Sequence, residues 1–229
     1  MGNSGYLSPV MVGLILLGDA TMSLPPLKVE DAQILCAGRD YVVLIDESLS
    51  MTTPDCAGAT SRWNYAREVV SFIVTKCTEY DPDTGIDLVF FGGKPRLIEN
   101  IATVTLSQHY PERPAAGSTD MGKALDLVFK RYFSGAKVRP ITLVVLTDGE
   151  ATDGKVVEKA LRNAAQASGS GEEIAVAFWQ VGYDPGATRF LQRMDDELGE
   201  IDIVDTQSMD TVIDNFGNLE LLLAAAVID

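Results

Sequence analysis

The sequence predicts an α/β fold, namely a doubly wound, mainly parallel sheet of six strands with one antiparallel edge strand and helices on both faces. From residue 40 onward, apolar runs of strand length alternate with segments of helical period, which is typical of such folds. Most of these runs are continuously apolar, as expected for parallel strands that are covered on both sides. The pair Gly92-Gly93 joins two of the runs through a tight turn and indicates a single hairpin.

Five of the strands fit the pattern of a buried sheet. They are Tyr41 to Ile45, Ile86 to Phe91, Ile141 to Leu146, Ile174 to Val181 and Ile201 to Val204. The sixth strand, Arg96 to Ile101, follows the Gly-Gly turn and is preceded by Pro95. Because proline cannot donate a hydrogen bond into a central ladder, we expect this strand at the sheet margin, antiparallel to its neighbour.

Helices are indicated by apolar residues that recur at intervals of three and four. Five such segments run from Trp63 to Cys77, from Met121 to Tyr132, from Val157 to Ala164, from Ala187 to Leu198 and from Met209 to Leu223. Asp184-Pro185 supplies an N-cap and a first-turn proline for the fourth helix. The fifth segment is predicted to form one continuous helix.

The chain has 229 residues, which suits one globular core with an extension. We divide it into an N-terminal apolar arm and linker, residues 1–39, and a folded domain, residues 40–229. The apolar run Val10 to Leu17 is shorter than the roughly 20 residues of a membrane span, and the arm lacks the positive start of a signal peptide. We therefore expect no membrane span and a cytoplasmic protein, in which the arm docks on a core or forms a buried strand.

Charge and composition exclude several classes of function. Lys and Arg number 18 and Asp and Glu 33, so the formal net charge is −15. This charge repels the phosphate backbone and argues against nucleic-acid binding. The three cysteines form no CxxC pair, and His109 is the single histidine, so neither a disulfide framework nor a zinc site is expected. We expect His109 to be a surface residue.

Acidic residues follow two of the predicted strands. The first strand is followed directly by Asp46-Glu47-Ser48-Leu49-Ser50, and the third of the five buried strands is followed by Thr147-Asp148-Gly149. In a doubly wound sheet, ligands bind outside the carboxyl ends of the strands, where the strand order reverses. If right-handed crossovers place these two strands side by side, the two carboxylates converge. The loop that opens the helix near Met121 brings Thr119 towards the same edge.

The resulting set supplies two carboxylates and three hydroxyls. Its members are Asp46, Ser48, Ser50, Thr119 and Asp148. Such oxygen ligands suit a hard cation, and Mg²⁺ is bound by a few protein oxygens while it keeps several waters. We expect Mg²⁺ or Mn²⁺ in preference to Ca²⁺, with one position open to a carboxylate from another molecule. Each residue alone could equally cap a helix or stabilise a turn, so the prediction depends on their convergence.

These motifs resemble the metal-ion-dependent adhesion site of the von Willebrand factor type A domain family, whose pattern is Asp-x-Ser-x-Ser, a loop Thr and an Asp after the fourth strand. All five positions are filled here, and the resemblance covers about residues 40 to 226. It implies that the three hydroxyls contact the ion while Asp46 and Asp148 act largely through waters. It also implies a non-enzymatic module whose ion recruits an Asp or Glu carboxylate from a protein partner, with a last helix that in some members switches affinity.

A narrower resemblance is to short stand-alone prokaryotic members of that family, including those linked to tellurite-resistance gene sets. It is carried by Ser61-Arg62-Trp63, by Tyr80-Asp81-Pro82-Asp83 and by the segment from Gln180 to Pro185.

One enzymatic alternative uses Asp46 as the nucleophile of a magnesium-dependent phosphatase or phosphotransferase of the haloacid-dehalogenase type. That family has a second Asp two residues on, where this chain has Ser48, although Asp195-Asp196 could serve as its late acidic pair. The segment Gly117 to Lys123 has the spacing of a phosphate loop, but Ala124 stands where Ser or Thr must bind magnesium. We therefore expect a binding module rather than an enzyme.

Overall fold

The computed structural model describes residues 27–80, 85–135, 139–169, 172–198 and 202–228. The strands within them are β1 (Asp40–Asp46), β2 (Ile86–Phe91), β3 (Arg96–Ile101), β4 (Ile141–Thr147), β5 (Ile174–Gln180) and β6 (Val204–Gln207). They form one six-stranded sheet in the order β3-β2-β1-β4-β5-β6. The predicted doubly wound α/β fold is therefore confirmed, and the strand order reverses beside β1.

The central strand β1 is parallel to both of its neighbours, so that Ile45 lies opposite Phe90 of β2 and Leu146 of β4. The strand β3 is antiparallel to β2, with Leu88 opposite Ile98, and it lies at the sheet margin. The predicted antiparallel edge strand is thus confirmed. Parallel pairing brings the carboxyl ends of β1 and β4 to the same edge of the sheet.

Eight helices lie within the described residues. They are α1 (Val29–Cys36), α2 (Arg62–Tyr80), α3 (Thr103–His109), α4 (Met121–Ser134), α5 (Gly154–Ala167), α6 (Pro185–Asp196), α7 (Met209–Asp214) and α8 (Leu219–Ile228). Asp184 caps α6 as predicted, because its carboxylate accepts a 2.8 Å hydrogen bond from the Ala187 N–H.

The pattern-based assignments need correction at three places. The helix expected from Met209 to Leu223 is interrupted by a 3₁₀ turn, Phe216–Asn218, which contains Gly217. Glycine and asparagine are poor helix formers, so the chain breaks there while the apolar spacing continues. The strand expected to begin at residue 201 starts at Val204, and the short helices α1 and α3 were not predicted.

The sheet separates two apolar layers. On one face, α1, α2, α3, α7 and α8 cover residues such as Val43 and Ile45, and on the other face α4, α5 and α6 cover Val42 and Leu44. Alternate residues of β1 therefore enter different layers, which explains why the strand is continuously apolar.

Apart from the buried Glu220, the helix α8 is apolar, and it packs between β5 and α1. Within the segment assigned to a linker, α1 buries Ala32 and Cys36 in the same layer as α8. The predicted arm with its run from Val10 to Leu17 lies outside the described residues. No helix in the described part of the chain is both long and apolar enough to span a membrane.

Candidate metal centre

Asp46 is the last residue of β1, and its side chain is fully buried. Its Oδ1 accepts a 2.8 Å hydrogen bond from the Ser48 N–H, and its Oδ2 accepts one of 2.7 Å from the Thr147 hydroxyl. Burial raises the pKa of Asp46 to about 7, although both hydrogen bonds favour the charged form and oppose this rise. The carboxylate is therefore held in one orientation where β1 and β4 end.

Two serine hydroxyls converge on Asp148. The Ser50 hydroxyl lies 2.8 Å from Asp148 Oδ1, and the Ser48 hydroxyl lies 3.0 Å from that of Ser50 and 3.5 Å from the same Oδ1 atom. A 3₁₀ turn, Leu49–Thr52, returns Ser50 towards Ser48, and the buried Met51 anchors this turn. Because Ser48 is buried and Ser50 is exposed, the cluster opens towards solvent.

Arg62 binds the other oxygen of Asp148. Its Nη1 donates a 2.8 Å hydrogen bond to Asp148 Oδ2, while its Nε and Nη2 donate bonds of 2.9 and 2.6 Å to the carboxylate of Asp55. The sequence patterns did not identify Arg62 as a site residue. One signal could have done so: Arg62 is the first residue of α2, where a cation opposes the helix dipole and therefore needs a compensating partner.

The loop that carries Thr119 packs directly against the Asp46–Ser50 loop. Gly117 pairs with Ser48 as an isolated parallel bridge, and a Cβ atom added at Gly117 would lie 1.3 Å from the Gly92 carbonyl oxygen. The Thr119 side chain is buried, and its carbonyl accepts a 3.0 Å hydrogen bond from the Thr152 N–H. Three loops thus meet at a contact that only glycine permits.

Asp153 connects this loop to the next helix. Its carboxylate accepts hydrogen bonds of 3.0 and 3.2 Å from the N–H groups of Gly122 and Lys123, at the start of α4. Asp153 stands at the N-cap position of α5, but its side chain makes no capping bond to α5. Asp120, at the N-cap position of α4, makes no side-chain capping bond to α4. The amide groups at the start of this helix, which follow Thr119, are instead bonded by Asp153.

The structure joins four of the five predicted site residues through one hydrogen-bond network: Asp46 bonds the Ser48 N–H, and Ser48, Ser50 and Asp148 bond through their side chains. Thr119 lies in the adjoining loop and is placed by backbone contacts. Among the described residues, no three His, Cys, Asp or Glu side chains cluster in a way that could bind a metal. Any cation held here would therefore depend on hydroxyl oxygens.

The residues of the alternative interpretations lie elsewhere. The Asp195 carboxylate accepts a 3.0 Å hydrogen bond from the Thr206 N–H and so contacts the margin strand β6. Lys123 forms an ion pair with Asp120 on the exposed surface of α4. His109 is half-buried at the end of α3.

Residues 40–201 match the family model of the von Willebrand factor type A (VWA) domain. The chain belongs to this family. No curated protein matches the chain at the sequence level. The VWA match begins where β1 begins and includes all five residues of the candidate centre.

Solved VWA-like structures share the fold at low sequence identity. The SpRpn10 VWA domain has a TM-score of 0.53 and 15% identity, with 75% of this chain and 87% of that chain covered. The manganese-loaded Plasmodium vivax TRAP protein has a TM-score of 0.60 and 12% identity, with 84% and 74% covered. The pilus adhesin SpaC from Lactobacillus rhamnosus GG has a TM-score of 0.58 and 12% identity, with 81% and 31% covered.

The donor atoms of this VWA domain fit a hard divalent cation. Two carboxylates balance its charge, and the serine hydroxyls are neutral oxygen donors of the kind that Mg²⁺ and Mn²⁺ accept. The hydroxyls presently bond to one another and to Asp148, which shows that their oxygen atoms already lie within a few ångströms of a common point.

Proposed function

We propose that this VWA domain is a non-enzymatic, metal-dependent protein-binding module. A divalent cation, Mg²⁺ or Mn²⁺, is held by Ser48, Ser50 and Thr119 together with Asp46 and Asp148. When bound, the cation supplies a Lewis-acidic position that accepts a carboxylate oxygen from an Asp or Glu side chain of a partner protein.

One observation carries the proposal. The side chains of Ser48, Ser50 and Asp148 form a hydrogen-bonded cluster next to the buried carboxylate of Asp46, at the edge where the strand order reverses. If these residues only capped helices and stabilised turns, their oxygen atoms would not need to come together from the ends of two separate strands. The manganese-loaded state of the TRAP protein supports a divalent cation as the ligand of this fold.

The chemistry of the donors favours an acidic partner. In this proposal the hydroxyls that contact the cation are neutral, while Asp46 and Asp148 act largely through waters, so the cation stays strongly electrophilic at the exposed side near Ser50. A carboxylate is the protein group that best complements such a cation. The net charge of −15 repels an acidic partner from the rest of the molecular surface, so recognition of the partner's carboxylate is confined to the cation itself.

Metal binding is tested by titrating the full chain with Mg²⁺, Mn²⁺ and Ca²⁺ in a calorimeter. We expect the Ser48→Ala and Thr119→Ala variants to bind more weakly than the wild type. The matched control is Ser168→Ala, because Ser168 is also a buried serine but donates its hydrogen bond to the Ala165 carbonyl on α5. Equal affinity in all four proteins would contradict the proposed ligand set.

Partner binding is tested by affinity capture from a lysate of the source cells, with Mg²⁺ or with a chelator, followed by binding measurements on the purified partner. We expect capture to be lost with the chelator and with Ser48→Ala, and retained with Ser168→Ala. Mutation of the partner's acidic residues identifies the recruited carboxylate. A partner bound equally by all the proteins would contradict the metal-dependent mechanism.

The enzymatic alternative is tested with generic phosphate esters and the Asp46→Asn variant. We expect no turnover by the wild type above that of the variant. Turnover that Asp46→Asn abolishes would replace this proposal with a phosphatase or phosphotransferase. We also propose that the chain is related to the short prokaryotic VWA proteins that are linked to tellurite-resistance gene sets. The identity of a captured partner tests this relationship.

A further inference from the structure

Arg62 places a positive charge directly behind the proposed metal ligands. Its guanidinium bridges Asp148, whose side chain has 0% exposure, and Asp55, whose side chain is 36% exposed. The Arg62 side chain itself is only 12% exposed. The bidentate bond with Asp55 lowers the pKa of that carboxyl group, so the pair is ionised at neutral pH.

Backbone groups of two loops lie close to Arg62 and restrict its position. Gly182 has a φ of +80°, and a Cβ atom added there would lie 2.5 Å from Arg62 Nε. The Arg62 N–H also donates a 3.0 Å hydrogen bond to the Thr53 carbonyl, which fixes the start of α2 beside the Ser48–Ser50 loop. The position of Arg62 is therefore set by two separate loops and is not that of a freely moving surface side chain.

The two oxygens of Asp148 have different partners. Oδ1 accepts hydrogen bonds from the serine hydroxyls, and Oδ2 accepts one from Arg62. The guanidinium of Arg62 would therefore compete with a divalent cation at the serine hydroxyls, because both would be attracted to the same carboxylate. Asp55 in turn offsets part of the charge of Arg62.

We propose that Arg62 is a built-in counter-ion that lowers the affinity of the site for divalent cations, and that Asp55 sets how strongly it does so. This inference rests on the proposed metal site. In the absence of a divalent cation, Arg62 compensates the buried charge of Asp148, so the site need not be metal-bound for the domain to fold.

The inference predicts effects of opposite sign for two neighbouring variants. Arg62→Gln removes a positive charge and should tighten Mn²⁺ and Mg²⁺ binding by roughly tenfold, the scale expected of one unit charge several ångströms away at an intermediate effective dielectric. Asp55→Asn leaves Arg62 uncompensated and should weaken binding by a smaller factor. Arg62→Lys keeps the charge and should stay close to the wild type.

The experiment measures Mn²⁺ and Mg²⁺ dissociation constants of the full chain by calorimetry for the wild type and these three variants. The control is Arg162→Gln, because Arg162 also bonds one carboxylate, Glu158, but lies on α5. Thermal melts in chelator verify folding. Should Arg62→Gln fail to fold, Arg62→Lys still tests the idea, because lysine keeps the charge but lacks the planar guanidinium that bridges Asp148 and Asp55, and weaker metal binding in this variant would overturn the inference.

The sign of the two effects distinguishes charge from geometry. If Arg62 merely orients Asp148, both Arg62→Gln and Asp55→Asn weaken metal binding, and the inference is overturned. Unchanged affinities in both variants overturn it as well, while the metal site proposed above survives. A wild type that binds no divalent cation instead overturns the proposed function, together with the inference built on it.

Discussion

The hydroxyl of Thr147 donates a 2.7 Å hydrogen bond to Oδ2 of Asp46 and so links the ends of β4 and β1 through their side chains. Both groups are fully buried, so no water replaces a lost bond at this position. The link orients the Asp46 carboxylate within the candidate metal centre and stabilises its charged form.

Replacement of Thr147 by Val tests this link. The variant keeps the shape of the side chain but removes the donor, so the pKa of Asp46 rises further and metal binding at neutral pH weakens by roughly tenfold per pKa unit. The matched control is Thr142→Val on the same strand, where the hydroxyl bonds Arg39 instead. Calorimetry should show weaker Mg²⁺ binding in Thr147→Val alone, and equal effects in both variants would contradict a local role.

The raised pKa of Asp46 predicts a pH dependence of stability in the metal-free protein. Burial raises this pKa from 3.8 to about 7, so between these values the folded state holds a proton that the unfolded state has lost. The contribution of Asp46 to the free energy of unfolding is therefore greatest at low pH, falls as pH rises to about 7, and is constant above.

Urea unfolding in chelator measures this contribution as the difference between the wild type and Asp46→Asn, which cannot titrate. We expect the difference to decrease with rising pH across that window. Excess Mg²⁺ should counteract the decrease near neutral pH, because the cation binds the ionised carboxylate. Parallel stability profiles of the two chelated proteins would show that Asp46 titrates normally.

Gly117 should tolerate no side chain. Its absent Cβ allows the Thr119 loop to contact the Gly92 carbonyl, and Gly117→Ala would force these loops apart. We expect a loss of stability of about 1–3 kcal/mol together with weaker metal binding. Gly93→Ala is the control, because nothing lies within 4 Å of the added atom. Thermal melts and metal titrations of both variants check the prediction, which fails if Gly117→Ala binds like Gly93→Ala.

Asp153 should support the site through α4. Asp153→Ala leaves the N–H groups of Gly122 and Lys123 without their acceptor, so a loss of about 0.5–2 kcal/mol is expected, with weaker metal binding through displacement of Thr119. Asp184→Ala removes a comparable cap from α6 and serves as the control. Denaturant unfolding should give similar losses for both variants, and only Asp153→Ala should alter the metal affinity.

Patterns among residues close together in the sequence predicted most of the strands and most of the candidate site. Continuous apolar runs predicted the strands, and Pro95 predicted the antiparallel margin position of β3. The Asp46–Ser50 motif and Asp148 were found because residues directly after parallel strands share one edge of the sheet. Thr119 was assigned to that edge from its place before α4, and the structure lays its loop against Ser48.

Other contacts were not predicted because the two residues that form them lie far apart in the sequence. The partner of Arg62 in the candidate centre is Asp148, 86 residues further on, and Asp153 caps α4 from 31 residues away. The helix α1 is short and leaves Ile34 exposed, so its own pattern is weak, and it is stabilised by covering the apolar helix α8.

The sequence by itself determined the α/β architecture, the sheet edge at which the candidate site lies and the oxygen-bearing residues at that edge. Hydrophobic periodicity identifies the strands and helices from neighbouring residues alone. The residues that end the parallel strands then identify the edge of the sheet. Only the tertiary structure decided how each charge is compensated, namely which oxygen of Asp148 bonds Arg62 and which helix Asp153 caps. Side-chain direction depends on the packing of loops brought together by folding, and no local pattern records it.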